Sequence, residues 1–282
     1  MAAGTGVLVT GADGQVGRAL RSHLPEARYM GHEQLDVRDR NAVDSALRDT
    51  DVVVHLAAMT NVDGCETDPE LARSINDVGT RNIAVSAAEH GVRIVYLSTD
   101  YVFDGTKTGE YIESDDPAPV NVYGSTKLAG ERHVAAQPDN LIVRTSWVFG
   151  DGSNFVRKIV SLARERSEIA VVDDQVGRPT AAADLSRALA ALIEVGASGV
   201  VHAAGAGGHA TWADLAEMTV ALTGAPAMIR RVTSEEYEAM ATRPPAPRPL
   251  NSVLSLRLLS DRWSIVMPGW EQSLQAYLGA AA

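Results

Sequence analysis

The stretch from Gly6 to Leu24 constrains this chain more than any other. Gly6-Val7-Leu8-Val9-Thr10 reads as a short buried strand, and Arg18 to Leu24 reads as a helix. Between them runs Gly11-Ala12-Asp13-Gly14-Gln15-Val16-Gly17. Gly11 allows a tight turn, Gly14 lets the backbone approach a pyrophosphate, and Gly17 lets the helix pack close to the strand. The helix N-terminus then faces an anion. Such a turn also serves as a plain connector, and the spacing is GxxGxxG rather than GxGxxG. The strand before it and the helix after it are the setting a phosphate-binding loop needs.

Further units repeat the pattern. Arg28 to Met30, Asp51 to Ala58, Arg93 to Ser98 and Asn140 to Arg144 read as strands. Helices are expected around Asn41 to Leu47, from Pro69 through Asn76 to His90 with Gly91 as C-terminal glycine, and over the segment with Tyr123. Strands alternating with helices predict an α/β fold, a Rossmann-type doubly wound parallel sheet. The 282 residues allow one large domain or a domain with a smaller lobe, and a 45% hydrophobic content is ample for its core. From Ile169 the alternation loosens: a strand and turn around Val171 to Thr180, a helix Ala182 to Glu194, and a strand Gly199 to His202. Thr211 caps a helix from Trp212 to Leu222, Ile229 to Val232 is a short strand, Arg243 to Pro249 is a loop, and a last helix runs from Trp270 to Leu278. Residues 1–150 are expected to form the dinucleotide-binding domain and 151–282 mainly a C-terminal substrate-binding lobe, with parts of 170–230 returning to the first.

Within this frame the chemistry gathers at strand ends, where ligands of open α/β sheets bind. Ala57 and Ala58 are small enough for a cofactor to lie against the backbone, and Thr60 to Asp63 follow on a loop where a substrate can be held. Ser98 and Thr99 leave the fourth strand where a substrate carbonyl can sit, with Asp100 to Gly105 beyond them. Tyr123-Gly124-Ser125-Thr126-Lys127 sets a Tyr and a Lys one helical turn apart. An ammonium beside a phenol favours the phenolate, which brings Tyr proton transfer nearer neutral pH. The same spacing also occurs on plain solvated helix faces. Trp147 either covers a ring or belongs to the core, and Gly152 to Phe155 opens another helix that can face an anion.

Other residues stay open between roles. Gly31, His32 and Glu33 follow the second strand, where an acid selects NAD and an arginine NADP. Asp36 either accepts from an adenine amino group or caps the next helix. Asn76 either bonds inside the site or makes a plain polar contact. His55 is expected in the core, and Cys65 is expected to be inert, since nothing cationic flanks it. As the sole cysteine, Cys65 excludes an internal disulfide and a cysteine-built metal site. The formal charge of −11 argues against a nucleic-acid partner. No apolar run is long enough to span a bilayer, and Met1 to Thr10 shows no basic segment before an apolar one, so no membrane partner and a cytoplasmic location are expected.

Together these residues resemble the extended short-chain dehydrogenase/reductases, through the glycine loop, Thr99 and Tyr123-x-x-x-Lys127. A closer resemblance, over nearly the whole chain, is to the dTDP-4-dehydrorhamnose reductase family. It rests on Gly14-Gln15-Val16-Gly17, Leu35-Asp36-Val37, Ala57-Ala58-Met59-Thr60-Asn61-Val62-Asp63, Ser98 to Gly105 and Arg144 to Gly150, then on Asp173-Asp174-Gln175 with Gly177 and Pro179-Thr180, and Arg248-Pro249 with Ser252. The resemblance implies hydride delivery from NADPH, with NADH also usable, to the C4 ketone of a dTDP-4-keto-6-deoxy sugar, in dTDP-rhamnose synthesis. It implies that Thr99 bonds the ketone oxygen, Tyr123 donates the proton, and Lys127 holds the nicotinamide ribose. It assigns Gly11, Gly14, Gln15, Val16, Asp36, Val37, Ala57, Ala58, Thr60 and Ser98 to the cofactor. Thr60, Val62, Asp100, Phe103 and Trp147 are expected around the sugar, with Asn154, Gln175 and Arg178 as phosphate contacts.

Two departures stand out. Some family members are dimers bridged by Mg²⁺ through glutamates, one soon after the glycine loop; Arg18-Ala19-Leu20 offers no acid there, so no metal is expected, and the protein is expected as a monomer or homodimer. Thr126 stands where Ser is usual. Rival readings are a 4-ketoreductase for another nucleotide-linked deoxysugar of antibiotic or streptose-like synthesis, and a non-catalytic regulatory sensor on the same fold. Intact Thr99, Tyr123 and Lys127 count against the sensor. Sugar-nucleotide 4,6-dehydratases follow the Thr with Asp-Glu, whereas Asp100 precedes Tyr101 here.

Overall fold

The computed structural model describes residues 6–280. The reading of Met1 to Thr10 as lacking a leader pattern falls partly outside the described residues.

Six parallel strands form the central sheet. The first half of the chain gives β1 (Val7–Thr10), α1 (Gln15–Leu20), β2 (Arg28–Met30), α2 (Arg40–Leu47) and β3 (Val52–His55). It continues with α3 (Val62–Thr67), α4 (Pro69–Arg73), α5 (Thr80–His90), β4 (Arg93–Thr99), α6 (Val122–Val134) and β5 (Leu141–Thr145). The sheet order is Gly199–His202, β5, β4, β3, β1, β2, with every pairing parallel. Successive side chains of a strand point to opposite faces. Val7 and Val9 therefore meet Val16 and Leu20 of α1 and Leu185 and Leu189 of the helix Ala182–Glu194. Leu8, on the other face, meets Val43 and Leu47 of α2 and Ile83 of α5. With both faces covered, the inner strands β1 and β3 are buried along their length and mostly apolar, as expected of parallel strands. The order reverses between β1 and β3, and that switch opens a crevice at the strands' carboxyl ends.

The helix expected from Pro69 to His90 is interrupted. A wide π-turn, Ser74–Gly79, separates α4 from α5, which ends at Gly91 with φ 68°. The turn brings Asn76 inward, fully buried. Its Oδ1 accepts from Met59 N at 2.8 Å, and its Nδ2 donates to Met59 O and Thr126 Oγ1, each at 3.1 Å. A residue poor in helix propensity thus ties the loop after β3 to α6, and a π-turn at such a place is common.

The loop expected after β3 is largely the helix α3, capped by Asn61. Short helices Ser234–Met240 and Arg257–Trp263 were not anticipated from sequence; Thr233 with Glu236 is a capping box that signals the first. The later chain is shared between two bodies of packing. Ala182–Glu194 and Gly199–His202 join the central sheet, while Phe155–Glu165, Trp212–Thr223 and the parallel strands Glu168–Val172 and Met228–Val232 enclose a second core around Ile159, Val171 and Ala216. Among the described residues no helix is long and apolar enough to cross a membrane.

Candidate active site

A cavity of about 670 Å³ opens at the carboxyl ends of β1, β3, β4 and β5. Its rear is the glycine loop. Gly11 has φ 66°, and a Cβ there would lie 2.6 Å from Ala57 N. The β1–α1 turn therefore rests backbone to backbone on the end of β3. A Cβ on Gly17 would lie 2.7 Å from Gly11 O, so α1 packs directly on the turn. Gln15, Val16, Ala57 and Ala58 line the cavity beside Gly11 and Gly14.

Asp36 and Val37 form the side wall with His32 and Leu35. Asp36 does not cap α2; Asp39 does, accepting from Asn41 N at 2.9 Å and Ala42 N at 3.1 Å. The Asp36 carboxylate is held by the Arg38 fork instead, at 2.9 Å to Nε and 2.6 Å to Nη2. That bond pulls its pKa down to about 2.

Thr99 ends β4. Its Oγ1 donates to Asp100 Oδ1 at 2.9 Å and accepts from Tyr101 N at 3.2 Å. Tyr123 lies in the first turn of α6, which Asn121 caps through Gly124 N at 2.7 Å. The Tyr101 ring stands edge-on to Tyr123, 6.0 Å between centroids. Lys127 is 2% exposed; its Nζ donates to Leu97 O at 2.7 Å and lies 4.0 Å above the Tyr96 ring. Burial lowers its pKa to about 7, against the opposing pull of Glu131.

The expected lowering of the phenol by the ammonium is overridden. Burial pushes Tyr123 well above its ordinary value, and its hydrogen bond with Thr99 opposes this only in part. The Lys127 ammonium is spent on a carbonyl and a ring, so desolvation decides. Tyr123 therefore carries its proton at neutral pH, the state a donor needs. Asp100, behind Thr99, is 2% exposed and is raised to about 6 by burial, which outweighs the nearby Ser252, Thr99 and Ser146 hydroxyls.

Thr60, Val62 and Trp147 lie on the substrate side. Trp147 has φ 45°, a left-handed backbone uncommon for a large side chain. Its indole stacks on Trp212 at 3.6 Å and 7°, and a Cβ on Gly177 would lie 2.5 Å from it. Trp212 was legible in sequence only as a helix start; no local signal pairs it with a residue 65 positions earlier. Asn154 also lines the cavity, capping Phe155–Glu165 and donating to Gly150 O at 2.6 Å and Gln15 Oε1 at 3.2 Å.

Three expected site residues lie elsewhere. Phe103 is fully buried against Tyr111, 4.1 Å between centroids, because the turn Asp100–Val102 carries the chain away from the cavity into a core with Leu128 and Leu254. Gln175 stands behind the wall, accepting from Trp212 Nε1 at 3.2 Å and donating to Ser234 Oγ at 2.9 Å. Arg178 spends its guanidinium on Leu254 O, Gly207 O and Glu110, at 2.9, 3.1 and 2.5 Å. It braces loops and does not face the cavity. His55 and Cys65 are both buried; His55 bonds Thr10 at 2.8 Å and Thr80 at 3.1 Å, and burial raises the Cys65 thiol to about 11.

A dinucleotide fits these residues. Ser98 Oγ and Thr145 Oγ1 are buried on the cavity wall without a hydrogen-bond partner. Each such hydroxyl costs about 1–3 kcal/mol unless a ligand satisfies it, and a carboxamide supplies both a donor and an acceptor. The Gly11 turn leaves its close approach free for a pyrophosphate.

The buried histidines predict an acid limit to stability. Burial holds His55 and His202 near pKa 3, so the unfolded chain binds two more protons than the folded one between about pH 3 and 6.5. Asp100 and Glu113 act in the opposite sense, because their folded values are raised. The two histidines have the larger shifts, so stability is expected to fall as pH falls from about 6 to 4. Urea midpoints across that range check it; a midpoint that rises on acidification contradicts it.

The model of the RmlD substrate binding domain family matches residues 5–282. A dTDP-4-dehydrorhamnose reductase of Sinorhizobium fredii is 38% identical over 96% of both chains. A dTDP-4-keto-6-deoxy-D-glucose reductase of Streptomyces niveus is 43% identical over 84% of this chain and 85% of its own. The crystal structure of dTDP-4-dehydrorhamnose reductase from Bacillus anthracis, in complex with NADP, superposes with a TM-score of 0.92 at 34% identity, covering 98% of this chain and 99% of that one. By the family model and by these relatives, the chain belongs to the dTDP-4-dehydrorhamnose reductase family.

Proposed function

We propose that the protein reduces the C4 ketone of a dTDP-4-keto-6-deoxy sugar with NADPH, and with NADH less well, in dTDP-L-rhamnose synthesis. The observation that carries this reading is the meeting of Thr99, Tyr123 and Lys127 on the wall of one cavity whose rear is the Gly11–Gly17 loop. Bound NADPH supplies the hydride. Gly11, Gly14, Gln15 and Val16 hold its pyrophosphate side, Asp36 and Val37 its adenosine side, and Ala57, Ala58, Ser98 and Lys127 its nicotinamide side.

Tyr123 donates to the ketone oxygen, and Thr99 joins it on turning its hydroxyl from Asp100 to the substrate. As C4 gains the hydride, the C–O double bond becomes single and its oxygen takes the Tyr123 proton. The tyrosinate left behind recovers a proton from solvent. Thr60, Val62, Asp100 and the stacked Trp147–Trp212 wall enclose the sugar, and Asn154 stands towards the diphosphate.

A second reading changes only the sugar. The Streptomyces niveus relative carries the name of a reductase for the D-glucose keto sugar, at 43% identity. NADPH consumption with dTDP-4-keto-6-deoxy-L-mannose and dTDP-4-keto-6-deoxy-D-glucose, side by side, separates the two readings. We take the enzyme to be a cytoplasmic monomer or homodimer without membrane or nucleic-acid partner; the formal charge of −11 supports the last of these.

A further inference from the structure

Tyr123, Lys127 and Glu131 recur at intervals of four along α6 and form one stripe on the helix. The first two line the cavity; Glu131 does not. Glu131 is 4% exposed and bound two-pronged by Arg144 of β5, at 2.9 Å from Nε and 2.7 Å from Nη2. Arg144 Nη1 has no partner, and the guanidinium lies 5.1 Å from the Phe103 ring centroid. A buried ion pair of this kind adds little stability over apolar residues of equal volume. Its position gives it another use.

Lys127 is buried with one carbonyl and one aromatic ring as partners, neither of them charged. The elements packed around it offer little compensation. β3 contributes His55, buried and neutral; β4 contributes the neutral Tyr96 and leads into Asp100, which is bonded to Thr99; the π-turn contributes Asp77, bonded to His133 at 2.7 Å; β5 contributes the cationic Arg144. The anion one turn along its own helix is Glu131, about 6 Å away between Cβ atoms.

We propose that Glu131 is a positioning residue that keeps Lys127 charged, with the Arg144 guanidinium on the same carboxylate offsetting part of its field and so setting how strongly it acts. The proposal rests on the reading of Lys127 as part of the active site. Its direct test needs neither substrate nor cofactor.

The chain has three lysines, Lys107, Lys127 and Lys158. Labelling lysine Cε with ¹³C gives three signals whose shifts report titration, and the Lys127 signal is the one lost in Lys127→Met. In Glu131→Gln, Lys127 is expected to titrate about one pH unit lower than in the wild type. In Arg144→Met, which breaks the same ion pair from the other side, it is expected to titrate higher. A clasp with a purely structural role moves both variants alike or moves neither, and either result overturns the proposal. If a single variant fails to fold, Glu131→Gln with Arg144→Met leaves no lone buried charge. Lys127 is then expected slightly below the wild-type value, and an unmoved signal overturns the proposal. In turnover, the alkaline limb of Glu131→Gln is expected to shift to lower pH by the same amount, with Glu131→Asp restoring it. Absence of turnover in the wild type would strike the proposed function and leave the lysine titration standing.

Discussion

Tyr123→Phe is expected to lower kcat by about 10³-fold, the usual worth of a positioned proton donor, while the Kd for NADPH stays within about twofold. The substitution removes one hydroxyl from a half-buried ring on the cavity wall and leaves the edge-on packing against Tyr101 intact. Lys127 does not depend on that hydroxyl for its place, since it is anchored on Leu97 O. Binding and chemistry therefore separate. Fluorescence titration with NADPH, beside steady-state turnover, checks both halves. Unchanged turnover would remove Tyr123 from the mechanism.

Gly124→Ala is expected to damage the same site through the backbone. A Cβ at position 124 would stand 2.0 Å from Tyr101 O and 2.9 Å from Tyr101 C. These are main-chain atoms of the tight turn after Thr99, so no rotamer change relieves the clash. Either α6 shifts outward or the Asp100–Val102 turn does, and Tyr123 and Thr99 part. Overpacking of this kind costs about 1–3 kcal/mol or more, here expected near the upper end, with Tm lowered by roughly 5–10 °C. Turnover is expected to fall with it even where the variant remains folded. Thermal melts and kcat of the variant check this; wild-type values for both would mean that α6 does not rest on the turn.

How much was legible follows from how local each signal is. The β1–α1 unit, the strands and α6 were readable because parallel strands covered on both faces are mostly apolar, and because glycine spacing is a backbone requirement. Thr99, Tyr123 and Lys127, the proposed catalytic residues, were marked by strand-end position and by helical spacing. Phe103 was misplaced because a turn of three residues after Thr99 redirects the chain, and nothing in Asp100-Tyr101-Val102 announces a reversal. Arg178 was taken for a phosphate ligand because a guanidinium looks alike in sequence whether it faces a ligand or three loop acceptors. The Trp147–Trp212 stack and the Arg144–Glu131 pair join elements distant in sequence, so only the packed structure brings them together. The sign of the Tyr123 shift was missed for the same reason: helical spacing set the ammonium near the phenol, whereas burial belongs to the fold.

The most direct test of the central claim is the fate of the hydride. Wild-type protein is mixed with dTDP-4-keto-6-deoxy-L-mannose and NADPH deuterated at the transferable C4 position of the nicotinamide. The account predicts NADPH loss matched mole for mole by a sugar nucleotide carrying deuterium at its own C4, as read by proton NMR. NADPH left unconsumed by either keto-sugar epimer, or deuterium at any other sugar carbon, would contradict a 4-ketoreductase.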